Sequence, residues 1–196
     1  NFPFMENRPN GPTVEGVGLA PPGYRLVREL HRGPNACTLL CQEGADSSQV
    51  VVKVAWPGKE DQLRAESRRL LSIVSERILR PKKVGSNYLT FPHLRGSTLA
   101  HLVATRRPGL SRPELVTLGL QILEVIDDIH QGGVLHGDLH PGNLICQDGI
   151  WYVIDFDLSD RAVKGGHLKF AAPERLGLIQ AEAGAYSDLY AVGRIL

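Results

Sequence analysis

The sequence has few cysteines, almost no net charge and no long apolar run. Its three cysteines, Cys37, Cys41 and Cys146, are too few for a disulfide framework, so we expect free thiols and a reducing, cytoplasmic location. The 22 Lys and Arg residues nearly balance the 21 Asp and Glu residues, which excludes a general electrostatic affinity for nucleic acid or an anionic membrane. No apolar run approaches the roughly 20 residues of a membrane-spanning helix. We therefore expect neither nucleic acid nor a membrane among its partners.

The overall composition is that of a globular protein. Hydrophobic residues make up 42% and charged residues 22% of the 196 positions. This length suits one domain or two small lobes of one folding unit. Residues 1–22 are rich in proline and lack hydrophobic periodicity, so we expect a disordered leader there. The rest divides into a strand-rich part, residues 23–94, and a mainly helical part, residues 95–196.

The strand-rich part begins with short apolar or alternating runs within residues 24–55. Turn-rich pieces separate these runs, which predicts a three-stranded antiparallel meander. Residues 60–74 carry apolar side chains at helical spacing and predict one helix. Two more strand-like pieces follow, around residues 78–84 and 88–94. The first part is therefore expected to be a sheet with one helix.

The helical part contains the clearest helix of the chain. Ser111 and Glu114 have the spacing of a capping box, which marks its start. Apolar side chains then recur at helical spacing, at Leu115, Leu118, Ile122, Val125 and Ile129. Apolar runs on both sides of Asp148-Gly149 predict a hairpin with a tight turn. Strands followed by helices indicate an α+β protein in two lobes.

A dense polar cluster, HGDLHPGN at residues 136–143, lies just before this hairpin. Because a hairpin brings together the residues at its open end, Asn143 and Asp155 should lie side by side. An amide oxygen and a carboxylate together suit Mg²⁺. Asp138 lies on a tight loop just upstream, where its carboxylate could accept a proton from a hydroxyl group. The cluster is therefore our candidate catalytic site.

Two other interpretations of the cluster stay open from the residues alone. Asp, Asn, Gly and Pro all favour turns, so HGDLHPGN could be an ordinary loop. Alternatively, His136, Asp138 and His140 could be the metal ligands of a hydrolase. The hydrolase interpretation explains neither Asn143 nor the acidic residues after the hairpin.

HGDLHPGN followed by IDFD resembles the catalytic and metal-binding loops of the protein-kinase-like phosphotransferases. Further pieces follow in the order of that family: VVVK ending at Lys53, AESRRLL containing Glu66, FPHLRGSTL, APE at residues 172–174, and SDLYAVG. The resemblance covers residues 24–196. It implies a two-lobed α+β protein-kinase-like fold and the cofactors ATP and Mg²⁺. It also implies that Asp188 braces the catalytic loop from behind.

By this resemblance, Lys53 would bind the α- and β-phosphates of ATP, held by an ion pair with Glu66. Asp138 would orient and deprotonate the acceptor hydroxyl, and Asn143 and Asp155 would hold Mg²⁺. The implied catalytic residues are Lys53, Glu66, Asp138 and Asn143. The implied nucleotide contacts are Gly33, Thr38, Val51, Lys53, Pro92, Leu94 and Ile145.

The sequence departs from the family pattern in two loops. Where the family has three glycines over the phosphates, this chain has His31, Gly33 and Ala36, so only the middle glycine remains. In the catalytic loop, Gly137 replaces an arginine and His140 replaces a lysine. This version of the loop is closer to that of the aminoglycoside and choline phosphotransferases. The first departure predicts weaker nucleotide binding.

The resemblance implies a serine/threonine protein kinase that acts on a protein substrate. Two alternatives stay open: a weak or inactive nucleotide-binding scaffold, and a phosphotransferase acting on a small-molecule alcohol. Between Asp157 and Ala172 the only hydroxyl belongs to Ser159, and Gly137 offers a phosphate no charge, so we expect no activation by phosphorylation there. Control would come from a regulatory partner or from a region beyond Leu196, where we expect the chain to be cut short.

Overall fold

The structure is a computed structural model that describes residues 19–44, 48–106, 108–156 and 168–196. Most of the predicted leader, and the expectation for Ser159, lie outside these ranges. The chain forms two compact units. Of the described residues, the first unit contains those up to Arg68 and the segment Arg80–His93, and the second unit contains those of Arg69–Leu79 and of Leu94–Leu196.

The first unit contains an antiparallel sheet of five strands in the order β1-β2-β3-β5-β4. The strands are β1 Tyr24–Arg32, β2 Ala36–Glu43, β3 Ser48–Ala55, β4 Lys83–Val84 and β5 Tyr88–Pro92. Helix α1, Glu60–Ser72, follows β3 and begins in this unit. The predicted meander and the predicted helix are therefore confirmed.

The side chains of strands β2 and β3 point alternately to the two faces of this sheet. Their fully buried residues form a core cluster on one face, made of Cys37, Leu39, Cys41, Val50 and Val52. Because successive side chains of a strand point to opposite faces, the residues between these positions lie on the other face. Thr38, Val51 and Lys53 belong to that second face, and Thr38 pairs directly with Lys53 across the ladder.

The strand predicted around residues 78–84 is wrong over most of its length. Only Lys83–Val84 forms a strand. Pro81 lacks the N–H that a ladder needs. Ile78 belongs to the second unit, where it forms an isolated parallel bridge with Val153.

The second unit combines a small sheet with helices. Its elements are strand β6 Ser97–Thr98, helix α2 Leu99–Thr105, helix α3 Arg112–Gln131, a short 3₁₀ helix Pro141–Asn143, strand β7 Leu144–Gln147, strand β8 Ile150–Val153 and helix α4 Ala185–Ile195. The strands pair in the order β6-β7-β8. The sequence patterns did not predict β6 and α2, which are short.

Helix α3 is the framework of the second unit. Its start is capped as predicted, because the N–H of Ser111 donates to the Glu114 carboxylate at 2.8 Å. The buried face of α3 consists of Leu118, Gly119, Ile122, Val125, Ile126 and Ile129.

The β7–β8 hairpin turns at Asp148 and Gly149, which have φ angles of +53° and +81°. Within the part of the chain that the structure describes, no helix is both long and apolar enough to cross a membrane.

Candidate active site

Lys53 and Glu66 form an ion pair within the first unit. Nζ of Lys53 lies 2.7 Å from Oε1 of Glu66 on α1, and the side chains are only 16% and 12% exposed. The alternation of β3 turns Lys53 away from the core cluster and toward this helix. Water screens a pair this shielded less than it screens a surface pair.

Three of the expected nucleotide contacts lie in the first unit with this pair, and two of them share a face of the sheet with Lys53. Thr38 is directly opposite Lys53 in the ladder, and Val51 precedes Lys53 by two residues on the same face. Gly33 lies in the turn between β1 and β2, where its N–H donates to the carbonyl of Ala36 at 2.9 Å. Thr38, Val51 and Lys53 therefore share one surface of the first unit.

The other expected nucleotide contacts are divided between the units. Pro92 ends β5 in the first unit, and Leu94 lies in the second. Ile145 lies on β7, half-buried, between Thr98 on β6 and Tyr152 on β8.

Asp138 lies in the second unit on the catalytic loop, our name for residues 136–143. Its carboxylate is 30% exposed. The preceding residue, Gly137, has a φ angle of +79°, in the left-handed region that glycine adopts without strain. The N–H of Gly137 donates to Oδ1 of Asp188 at 2.9 Å, and its carbonyl accepts from Nη2 of Arg175 at 2.8 Å. Both polar groups of Gly137 are therefore held, which fixes the chain as it enters Asp138.

His136 joins the catalytic loop to the segment that leads to Asp155. It is fully buried, and this burial lowers its pKa, so the imidazole is neutral at neutral pH. Its Nε2–H donates to the carbonyl of Ile154 at 3.1 Å, and its Nδ1 accepts the N–H of Asp138 at 3.3 Å. The ring also packs 4.6 Å from that of Phe156.

These contacts argue against the hydrolase interpretation. Both nitrogens of His136 already have hydrogen-bond partners, so neither can ligate a metal. Across the described ranges, no group of three or more His, Cys, Asp or Glu side chains could hold a metal ion. His136, Asp138 and His140 are therefore not a metal-binding set.

Asn143 links the two acidic residues of the loop region. Its Nδ2 donates to the carbonyl of Asp138 at 3.0 Å and to that of Asp155 at 3.3 Å. The N–H of Ile154 donates in turn to the carbonyl of Asn143 at 3.0 Å, which extends the hairpin by one residue. The amide is thereby oriented, with Oδ1 directed away from both carbonyls. The hairpin thus brings Asn143 and Asp155 together.

Asp155 has an unusual backbone conformation. Its φ angle is +56°, in the left-handed region, which Asp tolerates better than most residues but which still costs free energy. The bond from Asn143 to its carbonyl fixes this peptide. The catalytic loop therefore contributes at least one contact that holds Asp155 in this conformation.

Asp188 supports the catalytic loop from α4. It is 2% exposed, and Oδ2 accepts the N–H of His136 at 2.9 Å, while Oδ1 accepts that of Gly137. Nε2 of His130, at the end of α3, lies 2.9 Å from Oδ2. A buried carboxylate is stabilised by several donors of this kind. These hydrogen bonds are consistent with the bracing role that the family resemblance implies for Asp188.

Arg175 contacts the catalytic loop, although none of the motifs considered above includes it. It follows the APE motif directly and is 8% exposed. Its guanidinium donates to Gly137, at the position where the family has an arginine of its own. The sequence does contain a signal for this contact. An arginine follows APE directly, and the catalytic loop has Gly137 where the family has an arginine.

His140 lies beside Asp138, where the family has a lysine. Its Nε2 is 3.8 Å from Oδ2 of Asp138. Its Nδ1 accepts the N–H of Gly142 at 3.0 Å, so a neutral ring carries its hydrogen on Nε2. The Nε2–H of a neutral His140 is therefore a hydrogen-bond donor located on the side of the ring that faces Asp138.

Two features define the protein-kinase-like class of phosphotransferases. The first unit contains a strand lysine paired with a helix glutamate. The second unit contains an Asp–Asn–Asp arrangement around a hairpin. Comparison with known proteins agrees. The protein kinase domain family matches residues 24–196. The chain therefore belongs to the protein kinase family.

Several bacterial serine/threonine kinases are similar to this chain. The DNA damage-responsive serine/threonine-protein kinase RqkA of Deinococcus radiodurans is 26% identical, over 88% of this chain and 29% of the relative. The probable serine/threonine-protein kinase PknB of Lactococcus lactis is 27% identical, over 88% and 30%. The serine/threonine-protein kinase Pkn1 of Myxococcus xanthus is 27% identical, over 94% and 30%. The chain thus spans less than a third of the length of these relatives.

Proposed function

We propose that this chain is the catalytic segment of a serine/threonine protein kinase that transfers the γ-phosphoryl group of ATP to a protein hydroxyl. The observation that carries the proposal is the position of Asn143, whose amide joins the main chains of Asp138 and Asp155. Membership of the protein kinase family, and the names of the similar proteins, support the choice of reaction.

The proposed transfer uses Asp138 as the base. Its half-buried carboxylate would accept the proton of the acceptor hydroxyl, whose oxygen forms a bond to the γ-phosphorus as the bond to ADP breaks. His136 and Asp188 support this role, because they hold the main chain around Asp138. Lys53, oriented by Glu66, would bind the α- and β-phosphates.

The residues around Asn143 suit Mg²⁺. The amide nitrogen of Asn143 is engaged by two carbonyls, so Oδ1 remains as its donor atom, and Asp155 adds a carboxylate. Oxygen donors of this kind, completed by phosphate and water, are those that Mg²⁺ prefers. When bound, Mg²⁺ would neutralise charge on the phosphates. We propose Asn143 and Asp155 as its protein ligands.

The nucleotide would be bound by the surface residues around Lys53. Thr38 and Val51 offer apolar contact for adenine on the face that carries Lys53. Gly33, Pro92, Leu94 and Ile145 complete the proposed set. The three free cysteines favour a reducing compartment, and we propose the cytoplasm.

One observation favours a second candidate function. His140, not a lysine, lies beside Asp138, and the HGDLHPGN loop is closer to that of small-molecule phosphotransferases. An acceptor such as an amino sugar or choline would then replace the protein hydroxyl. The same residues would carry the transfer, so only the acceptor distinguishes the two functions.

The test measures ATP- and Mg²⁺-dependent phosphate incorporation into a generic basic protein, and in parallel into an amino sugar and choline. Asp138→Asn removes the base and keeps the size of the side chain, so we expect at least a hundredfold loss of rate, on the order of what a general base contributes. Asp148→Asn is the matched control. It makes the same change at a turn position with a φ angle of +53°, which Asn tolerates, and should stay within about twofold of the original rate.

Each outcome separates the candidates. Transfer to the protein, lost in Asp138→Asn and kept in Asp148→Asn, supports the kinase. Transfer to the small acceptors alone supports the second function. Equal and negligible transfer by the original chain and by Asp138→Asn refutes both and leaves a nucleotide-binding scaffold.

A further inference from the structure

Trp56 holds the loop that the family places over the nucleotide. We call residues 31–36 the covering loop; they comprise the end of β1, the turn and the first residue of β2. Nε1 of Trp56 donates to the carbonyl of Gly33 at 2.8 Å, and the main-chain N–H of Trp56 donates to the carbonyl of Asn35 at 3.0 Å. One residue therefore fixes two peptide groups at the tip of the loop, within the first unit.

The indole ring is itself held on two sides. It packs against the core cluster of β2 and β3. The guanidinium of Arg32, the second residue of the covering loop, lies 5.2 Å from the ring centroid. Arg32 also pairs with Glu29 on β1 through two hydrogen bonds. The ring thus contacts the loop at Arg32 as well as at Gly33.

The main chain of the covering loop has few free donors for a phosphate at its tip. The N–H of Gly33 already donates to the carbonyl of Ala36, and Pro34 has no N–H. His31 and Ala36 stand where the family has glycines, so the backbone is less adaptable there. The main chain at the tip of the loop therefore offers a bound phosphate few contacts that would order it.

We propose that Trp56 is a positioning residue that orders the covering loop before the nucleotide binds, in place of the contacts that the missing glycines would allow. A loop ordered in advance loses less conformational freedom on binding, and this favours affinity. The role rests on the proposed function, because it takes the loop to lie over ATP. It predicts an effect on nucleotide affinity and little effect on the chemical step.

The test uses two variants of Trp56 and one control. Trp56→Phe removes the indole N–H but keeps an aromatic ring against the core cluster, so the unit should still fold. Trp56→Ala removes the ring and its contact with Arg32 as well. Trp151→Phe makes the same Trp-to-Phe substitution at the only other tryptophan of the sequence. Trp151 is 6% exposed and lies on β8 in the second unit. This variant controls for the general cost of losing an indole.

Two measurements are made on each protein. Amide hydrogen exchange, followed on a peptide that contains the covering loop, reports local opening without any need for activity. The KM for ATP and kcat report the use of the loop, and protection of the same peptide during titration with MgATP gives Kd directly. For Trp56→Phe we expect about fivefold faster exchange and about fivefold higher KM and Kd, as the loss of one hydrogen bond allows. We expect kcat to stay within about twofold, and Trp56→Ala to show larger effects in the same direction.

Any of three results in the variants would overturn the inference: loop exchange unchanged in both Trp56 variants, faster exchange with unchanged Kd for MgATP, or the same changes in Trp151→Phe. Failure of the proposed function is a separate result. If the original chain transfers no more phosphate than Asp138→Asn, the kinase proposal fails, while exchange and MgATP titration still decide whether Trp56 positions the loop. An original chain that binds no MgATP at all refutes the nucleotide-positioning role.

Discussion

The ion pair between Lys53 and Glu66 gives the sharpest prediction about stability. The two charged atoms are 2.7 Å apart, and the side chains are 16% and 12% exposed. A hydrogen bond between charged groups contributes roughly 1.5–3 kcal/mol, whereas an exposed pair contributes about 0.2–1 kcal/mol. Since this pair is largely shielded, we expect a coupling free energy of about 2 kcal/mol.

The coupling is measured with a double-mutant cycle of Lys53→Met, Glu66→Gln and the double variant. The cycle isolates the pair from the other contacts of each residue. Urea unfolding gives the free energy of unfolding of each protein. In a chain of this size, about 2 kcal/mol corresponds to roughly 4–8 °C in Tm. The double variant should lose about 2 kcal/mol less stability than the sum of the losses in the two single variants.

A second ion pair on the same helix provides the control. Arg64 and Asp61 lie 3.1 Å apart, but their side chains are 49% and 96% exposed. Their cycle should give a coupling below about 0.5 kcal/mol, and 1 M salt should reduce it further. If the coupling of Lys53 and Glu66 is no larger than that of the control pair, the argument from shielding is refuted.

Three further predictions concern other parts of the chain. Arg175→Met removes the hydrogen bond to the catalytic loop, so in the transfer assay kcat should fall about tenfold with the KM for ATP unchanged. Arg175→Lys should recover part of the loss. An unchanged kcat in Arg175→Met would show that the contact is dispensable. Gly96→Ala would place a Cβ against the carbonyl oxygen of Cys146, so urea unfolding should show a loss of about 1–3 kcal/mol, while Gly109→Ala, in open space, should show almost none. Burial first, and then a nearby carboxylate, raise the pKa of Cys37 to about 11, so at pH 8 only about one thiol in a thousand is ionised. Alkylation of the folded protein at pH 8 should therefore label the half-exposed Cys146 well before Cys37, and equal rates would contradict the burial argument.

Local patterns determined most of the fold. Alternation predicted β1 to β3, helical spacing predicted α1 and α3, and the Asp-Gly pair predicted the β7–β8 hairpin. Such signals act between residues close in sequence, so they are legible without the tertiary structure. The short elements β6 and α2 give signals too brief to detect. The strand prediction for residues 78–84 was wrong because it took the apolar Ile78 as part of that strand. Ile78 instead forms an isolated bridge with Val153.

The candidate site can be predicted from the sequence because its residues lie in motifs of fixed order. Asn143 and Asp155 could be paired from the hairpin alone, since its turn fixes which residues meet. Lys53 and Glu66 needed the family resemblance, because a strand lysine and a helix glutamate carry no signal by themselves. Their contact at 2.7 Å is consistent with that pairing.

What the sequence determined by itself is therefore most of the longer elements, the order of the motifs and the family. Only the tertiary structure decided how the two altered loops are supported. Arg175 reaches Gly137 across 38 positions of the chain, and Trp56 reaches Gly33 across 23. Neither contact belongs to a periodic pattern or to a turn. Each depends on how packed elements direct a side chain to a carbonyl that is distant in sequence, and that direction is a property of the folded chain.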